Sequence, residues 1–533
     1  MKILRVSIQN FRSFQQLDLP LGGQSVYVIG ENASGKTSLL TAIARALGRD
    51  LSFAGTDFRD IQQPIEIQVT LQDFAVPQRA LFGDYIHFGT PATLTVGVRA
   101  IWDPAAENAE VEHWYPGHAG SRSKKREREG LSVQWLGSAR DPARMLQFGV
   151  TRNLMGLILS AYTLDQSLDQ AVVDVRHASE QLGHDDALVH VLRDARDRLA
   201  QLLPDVSQDA FAMGISTLSG RDLLRQLELQ IEHPEEPVAV GRQSSGVAHL
   251  AVFVFALQLA AGQPGNVLLI DEPEISLHPQ SQRALMRSIR SLNAQTIIAT
   301  HSSNLLERAD PRMIVRLRRN ATQNVTFVRP TGLSEADAKH LARNTRPHTT
   351  EAFFARAVIL VEGLSDQYAL QVLADRRGRN LDAEGVSIVP IGGATAISTY
   401  MRLFGPAGFD LSLAGLCDDA EERVFRNALS NAGHTINGRL DMEQLGFFVC
   451  VADLEDELIR ALGAQETLRI ITQEGDLGDF QRLQQQPTYE SAALEDQVHV
   501  FIAKHKIAYA PLLVEALDLT RVPAALDGVL TSV

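Results

Sequence analysis

Residues 26–37 read VYVIGENASGKT, an apolar strand running into the pattern GxxxxGK[ST], and the SLLTAIARAL that follows repeats its apolar residues at helical spacing. A strand, a glycine loop and a helix in that order make a phosphate cradle. Gly30 and Gly35 let successive backbone N–H groups through Asn32, Ala33 and Ser34 face an anion, and the helix that follows adds its positive end. Lys36 reaches the β and γ oxygens of a nucleoside triphosphate, Thr37 offers a hydroxyl to Mg²⁺, and Ser38 completes the set expected to bind ATP. This stretch fixes an α/β nucleotide-binding fold.

The 533 residues, 45% apolar and 21% charged, allow several domains and exclude disordered and fibrous classes. A formal net charge of -14 leaves no global basic signature, so a nucleic-acid partner must be met by local patches or by metal ions. Two cysteines, Cys417 and Cys450, both in apolar runs, rule out structural zinc and a disulfide framework. The chain opens on an alternating strand with no secretory pattern, so a cytoplasmic location is expected. Residues 246–262 are apolar but contain His249 and Gln258, and they are short for a span of roughly 20 residues. They predict a buried helix and no membrane.

Alternation in IEIQVTL, ATLTVGVRAIW and LSVQWL predicts a meander from residue 65 to 135, broken by the loop HAGSRSKKREREG. Charged helices follow to about residue 203, and a second strand pair, NVLLI and QTIIA, brackets a helix-length segment. Past residue 346 the pattern restarts with AVILVEG, VSIVPIGG, LAGLCDD and FFVCVADLEDEL, each strand followed by a helix-length stretch. The expected division is therefore 1–154 and 216–345 for one ATPase domain, 155–215 for a helical insertion that is either dimerising or a solvated hairpin, and 346–533 for a second α/β domain.

Asp271 and Glu272 end the wholly apolar strand NVLLI, where adjacent carboxylates have no packing reason to sit. Asp271 suits the Mg²⁺ shell and Glu272 the attacking water, because phosphoryl transfer is mostly positioning and charge neutralisation. His301 closes the next strand in QTIIATHSSNLL and reads as a γ-phosphate sensor. Together these motifs resemble the ABC-type ATPase heads of SMC and RecF proteins. That resemblance places a signature at Ser244-Ser245-Gly246, where Ser245 replaces a glycine and Val247 an acid or amide. It implies that Ser244 and Gly246 touch the γ-phosphate of a partner head, so that ATP closes a homodimer or higher oligomer.

In the second half Glu362 ends AVILV, Asp366 lies one helical turn on, Asp418 ends LAGLC, and Asp453 and Glu455 follow FFVCVA. Acids at the carboxyl ends of three successive strands occupy the ligand face of an open parallel sheet. The arrangement resembles a Toprim parallel-sheet domain, with one departure. Asp418-Asp419-Ala420 lacks the second Asp of the family's pair, leaving Glu421, Glu422 or Glu455 to substitute; Glu422 is taken as the ligand. An ABC-type head followed by a Toprim domain resembles the OLD (overcoming lysogenization defect) nucleases over nearly the full length.

The resemblance implies Mg²⁺- or Mn²⁺-dependent hydrolysis of DNA phosphodiesters with Glu362, Asp366, Asp418, Glu422, Asp453 and Glu455 as metal ligands. It further implies a late lysine, Lys506, with Lys504 the competitor, a role in phage defence or DNA repair, and a helicase-like partner. A topoisomerase reading fails for want of a further domain carrying its tyrosine, and a primase reading for want of a zinc module. The alternative is a DNA-sensing ATPase whose Toprim module docks without cleaving, motivated by Ala420; an RNA-cleaving enzyme is a third. Arg122, Lys124, Lys125, Arg126 and Arg128 form either a solvated hairpin tip or a track for the DNA backbone.

Overall fold

The computed structural model describes residues 1–49, 52–118, 121–131, 133–150, 153–159, 165–183, 189–190, 193, 219–231, 238–262, 265–320, 322–344 and 347–533. These fall into two bodies: a larger one of residues 2–131, 270–274 and 296–533, and a smaller one of Met1, 132–269 and 275–295.

In the larger body β1 (Lys2–Phe11), β2 (Phe14–Pro20) and β3 (Ser25–Gly30) are followed by β4 (Ile65–Gln72), β5 (Leu94–Asp103) and β6 (Asn108–Trp114). An antiparallel sheet runs β2-β1-β4-β5-β6, with Val6 opposite Val69 and Val69 opposite Val96. Period-two alternation explains β4: Ile65, Ile67, Val69 and Leu71 are buried and the residues between them only half so. Against these strands packs the helix Lys36–Ala46, which buries Leu39, Leu40 and Ile43.

The smaller body holds β7 (Val133–Leu136), the short ribbon β8 (Gln230–Ile231) with β9 (Val238–Ala239), and β10 (Val267–Asp271), whose last two residues belong to the larger body. LSVQWL is not the fourth meander strand that its alternation suggests, because β7 lies beside β10 in another sheet. Its burial explains the difference: Val133, Gln134 and Leu136 are all buried, as in a strand covered on both faces. Of the expected insertion, the helix Asp165–Gly183 packs against Gly220–Gln226, which lies just beyond it, and most of residues 184–215 lie outside the described set.

The apolar run forms the helix Ser245–Gly262, long and apolar enough to cross a membrane by length and composition. It is not buried all round, as the sequence suggests. Ala248, Val252, Ala256 and Ala260, four residues apart, form the buried stripe together with Phe253, whereas Val254 is 60% exposed.

Returning to the larger body, β11 (Gln295–Ala299) and β12 (Ile314–Arg319) flank β3 in parallel, with Ile298 and Val315 paired to Tyr27 and Val28; β13 (Val325–Val328) adds an antiparallel edge. The phosphate loop leaves the end of β3, the middle strand. A separate parallel sheet runs β15-β14-β16-β17, from β14 (Ala357–Val361), β15 (Val386–Pro390), β16 (Ser412–Cys417) and β17 (Phe447–Val449). Helix Leu364–Arg376 packs on it, and helix Lys506–Ala516 packs on that helix, with Leu370, Leu373, Ala510 and Leu513 in the shared core. The four apolar strands read from the sequence are these four.

Candidate functional site

The phosphate loop is built for an anion. Gly30 has φ 149° and Gly35 φ 101°; a Cβ at Gly30 would come within 2.4 Å of the Leu317 carbonyl oxygen, and one at Gly35 within 2.7 Å of Ser13 Oγ. No side chain caps the helix that begins at Lys36, so its first N–H groups point into the loop. Lys36 is 4% exposed, and its Nζ donates to the Gly30 and Glu31 carbonyl oxygens, at 3.0 Å each. Burial pushes its pKa down to about 8 against the pull of Glu272, Asp271 and Glu274. Ser34 Oγ is buried with no hydrogen-bond partner among the described residues, a donor that a phosphate oxygen would satisfy.

Asp271 is fully buried at the end of β10, and Glu272 follows in the left-handed region at φ 48°, its N–H bound to the Ala299 carbonyl oxygen at 2.9 Å. Burial lowers the His301 pKa, and the nearby Lys36 charge lowers it further. The sequence reading missed Glu274, whose carboxylate accepts from His301 N–H at 2.6 Å and from Thr300 Oγ1 at 2.9 Å, holding the loop that carries the histidine. Ser244, Ser245 and Gly246 stand in the smaller body at the start of the apolar helix. There Gly246 has a local reason to be glycine: a Cβ would lie 2.8 Å from the Ser276 carbonyl oxygen.

In the other sheet β14 and β16 are neighbours, with Leu360 paired to Gly415, so Glu362 and Asp418 leave adjacent strand ends. Carboxylate oxygens of Glu362, Asp418 and Glu421 lie within 4.8 Å of one another. Glu421, not Glu422, is therefore drawn into this group; Glu422 accepts from Arg439 at 2.8 Å and faces Arg426 at 3.8 Å. Asp366 is buried and caps the helix Leu364–Arg376 by accepting from Gly363 N–H at 2.8 Å. Asp453 likewise caps the helix Leu454–Leu462, through Asp456 N–H at 2.7 Å. It also meets His499 Nε2 at 2.9 Å, a partner 46 residues away that no spacing rule signals.

Burial, then the charges of Asp366 and Glu362, raises Asp418 to about 7. Burial also raises Asp366 to about 6, Glu455 to about 6, and Glu362 above its usual range. Burial works the same way on Asp453, but hydrogen bonds from His499 and Asp456 N–H outweigh it and leave that carboxyl low. Glu362 Oε2 and Glu455 Oε1 are buried without a donor among the described residues, a demand that a cation meets. The Lys506 charge acts on Glu362, Asp366, Asp453 and Glu455, while Lys504 lies over the Tyr489 ring at 5.9 Å.

A pH dependence follows. With folded values near 6 to 7 against about 4 unfolded, these groups bind more protons in the folded state between those limits. Their contribution to stability is present below about pH 4 and lost as pH rises through about 7. A divalent ion needs the deprotonated site, so the rise in melting temperature on adding Mn²⁺ should be larger at about pH 8 than at about pH 5. Equal shifts at both would contradict the assignment.

The described part of the basic segment is partly helical. Lys125–Gly130 is a helix pinned by Glu127, which is buried and accepts from Tyr115 Oη and Lys124 N–H, both at 2.8 Å. Arg122 pairs with Glu112 at 2.6 Å, and Arg128 donates to the Ser123 carbonyl oxygen at 2.5 Å; Lys124, Lys125 and Arg126 are exposed.

Residues 26–307, more than half of the chain, match the family model described as an AAA domain, putative AbiEii toxin, Type IV TA system. The chain belongs to this AAA-domain family. Residues 353–419 match the TOPRIM domain of overcoming lysogenization defect-like proteins. An OLD nuclease of Thermus scotoductus is 24% identical over 438 residues, 74% of this chain and 78% of that one. The endonuclease GajA of Bacillus cereus is 27% identical over 157 residues, 24% of this chain and 23% of its own length. A solved C-terminal region of the Xanthomonas campestris pv. campestris OLD protein is 26% identical over 34% of this chain and 93% of its own, with a TM-score of 0.29. The chain thus joins an AAA-type ATPase domain to an OLD-like TOPRIM nuclease domain, a nucleotide-using half and a divalent-metal-using half.

Proposed function

We propose that this ATPase-nuclease is an ATP-binding and ATP-hydrolysing DNA endonuclease whose cleavage depends on Mg²⁺ or Mn²⁺. The observation that carries the reading is the convergence of Glu362, Asp418 and Glu421 at neighbouring strand ends, with oxygens within 4.8 Å. A metal bound there supplies a water of lowered pKa and neutralises charge on the leaving oxygen. Glu362, Asp418 and Glu421, with Asp366 and Glu455 behind them, would hold it, and Asp453 is oriented by His499. Lys506 adds positive charge where the phosphodiester must approach this acidic cluster. In the AAA domain Thr37 and Asp271 would hold the Mg²⁺ of ATP, Glu272 position the attacking water, and His301 read the γ-phosphate.

The proposal keeps the division at 1–154, 155–215, 216–345 and 346–533. It also keeps a homodimer or higher oligomer in which Ser244 and Gly246 complete a partner's nucleotide site, a cytoplasmic setting, a helicase-like partner, and a role in phage defence or DNA repair. Supercoiled plasmid incubated with Mg²⁺ or Mn²⁺ should be nicked, and a chelator should stop it. No cleavage with either metal while ATP is still hydrolysed would sink the nuclease reading.

We assign the exposed Lys124, Lys125 and Arg126, with Arg122 and Arg128, to tracking the DNA backbone. Neutralising all five should flatten the plot of log binding constant against log salt, by roughly 0.9 in slope for each phosphate that is no longer neutralised. An unchanged slope would remove the segment from the DNA site.

A further inference from the structure

Strand β12 ends with three arginines, Arg316, Arg318 and Arg319, that link the two halves of the larger body. Arg319 donates to the Ala33 carbonyl oxygen of the phosphate loop at 2.8 Å. Arg318 pairs at 2.7 Å with Asp410, just before β16. Arg316 lies between these ties, 6% exposed, and its Nη1 has no hydrogen-bond partner among the described residues. A buried guanidinium N–H without an acceptor is costly, and the charge of Glu31 offsets only part of the burial of Arg316. All three arginines line a cavity of about 630 Å³, together with Arg356 and Glu31.

Charge accounting favours an anion. Asp410 is taken by Arg318, and Glu384, also at the wall, is held by Arg379 at 3.1 Å. Arg316, Arg319 and Arg356 then face Glu31 and the Val533 main-chain carboxylate, the latter also meeting Arg379 at 3.1 Å, so cations still outnumber anions at the wall. The volume falls within the roughly 300–1,000 Å³ usual for small-molecule sites. Guanidinium forks match phosphate oxygens in pairs, and Glu31 provides an acceptor for a hydroxyl beside that phosphate.

We propose that this cavity is a second nucleotide site, bordered by the phosphate loop at Glu31 but distinct from its Lys36 site, that takes the 5′-phosphate of a nucleotide, with Arg316 as its buried ligand and Arg356 and Arg319 at the rim. The nucleotide is either free or the 5′ end of a DNA strand. Because β12 touches both the phosphate loop and the TOPRIM side, an occupant here is coupled to ATP binding, and the coupling is reciprocal.

The test uses the full chain carrying Lys36→Ala, which weakens the triphosphate site. AMP and adenosine are titrated by calorimetry, alongside a short oligonucleotide with a 5′-phosphate or a 5′-hydroxyl. Binding of AMP but not adenosine assigns a free nucleotide, and binding of the phosphorylated oligonucleotide alone assigns a strand end. Adding Arg316→Met should weaken that binding by about tenfold or more, the loss of one charge-assisted pair. Its melting temperature without ligand should change little, since the variant removes a buried charge with one unsatisfied N–H along with its attraction to Glu31. Should Arg316→Met fold poorly, the exposed Arg356→Gln carries the same test with a loss of about fivefold. No phosphate-dependent binding, or binding unmoved by these substitutions, overturns the proposal.

Discussion

Glu362→Ala is expected to abolish plasmid nicking, by about 10³-fold or more, while ATP hydrolysis continues at the parental rate. The size follows from the place of the side chain. Glu362 leaves β14 beside Asp418, shares the acidic group with Glu421, and keeps Oε2 buried without a donor among the described residues. Removing a carboxylate that holds the metal forfeits several kcal/mol of transition-state stabilisation, and each 1.36 kcal/mol is about tenfold in rate. The fold should survive, because the strand is anchored by Val358, Ile359, Leu360 and Val361, all fully buried. Loss of a like charge also relieves the repulsion that raises Asp418. Gel assay of nicked product and a phosphate-release assay on one preparation separate the two activities. Nicking that persists in Glu362→Ala would move the cleavage chemistry away from this sheet.

Legibility from sequence followed the local character of each signal. The phosphate loop was fully legible, since strand, glycines, lysine and helix are contiguous and each glycine has a steric reason that the structure supplies. The parallel order of the C-terminal strands was legible too, because apolar runs with helix-length separations leave few other topologies. LSVQWL misled because alternation cannot say which sheet a strand joins; burial of Gln134 on the nominally polar face shows that tertiary packing decided it. The choice between Glu421 and Glu422 turns on the one-turn helix Asp419–Glu421, whose geometry sends Glu422 toward Arg439. His499 and Glu274 act on residues 46 and 27 positions away, and such pairs leave no periodic trace in a single sequence.

Lys36→Ala is expected to reduce ATP hydrolysis by about 10²- to 10³-fold, corresponding to roughly 3–4 kcal/mol of charge-assisted hydrogen bonds to the phosphates. The helix should persist on its buried Leu39, Leu40 and Ile43, so the loss should appear without a matching loss of melting temperature. Lys36→Arg should not restore the rate, because a planar fork does not fill the place of a compact ammonium that now reaches two loop carbonyls. The pKa near 8 adds a signature that a merely structural lysine lacks. Above that pH the ligand-free side chain is neutral, so ATP affinity should fall from about pH 7 to about pH 9, and binding near pH 8 should take up a proton. Calorimetry in two buffers of different ionisation enthalpy reads that proton directly, and its disappearance in Lys36→Ala assigns it. An unchanged ATPase rate in Lys36→Ala would separate hydrolysis from the phosphate loop. Running the nicking assay on the same variant, with and without ATP, shows the direction of coupling: faster cleavage than the parent means nucleotide restrains the TOPRIM site, and slower cleavage means nucleotide drives it.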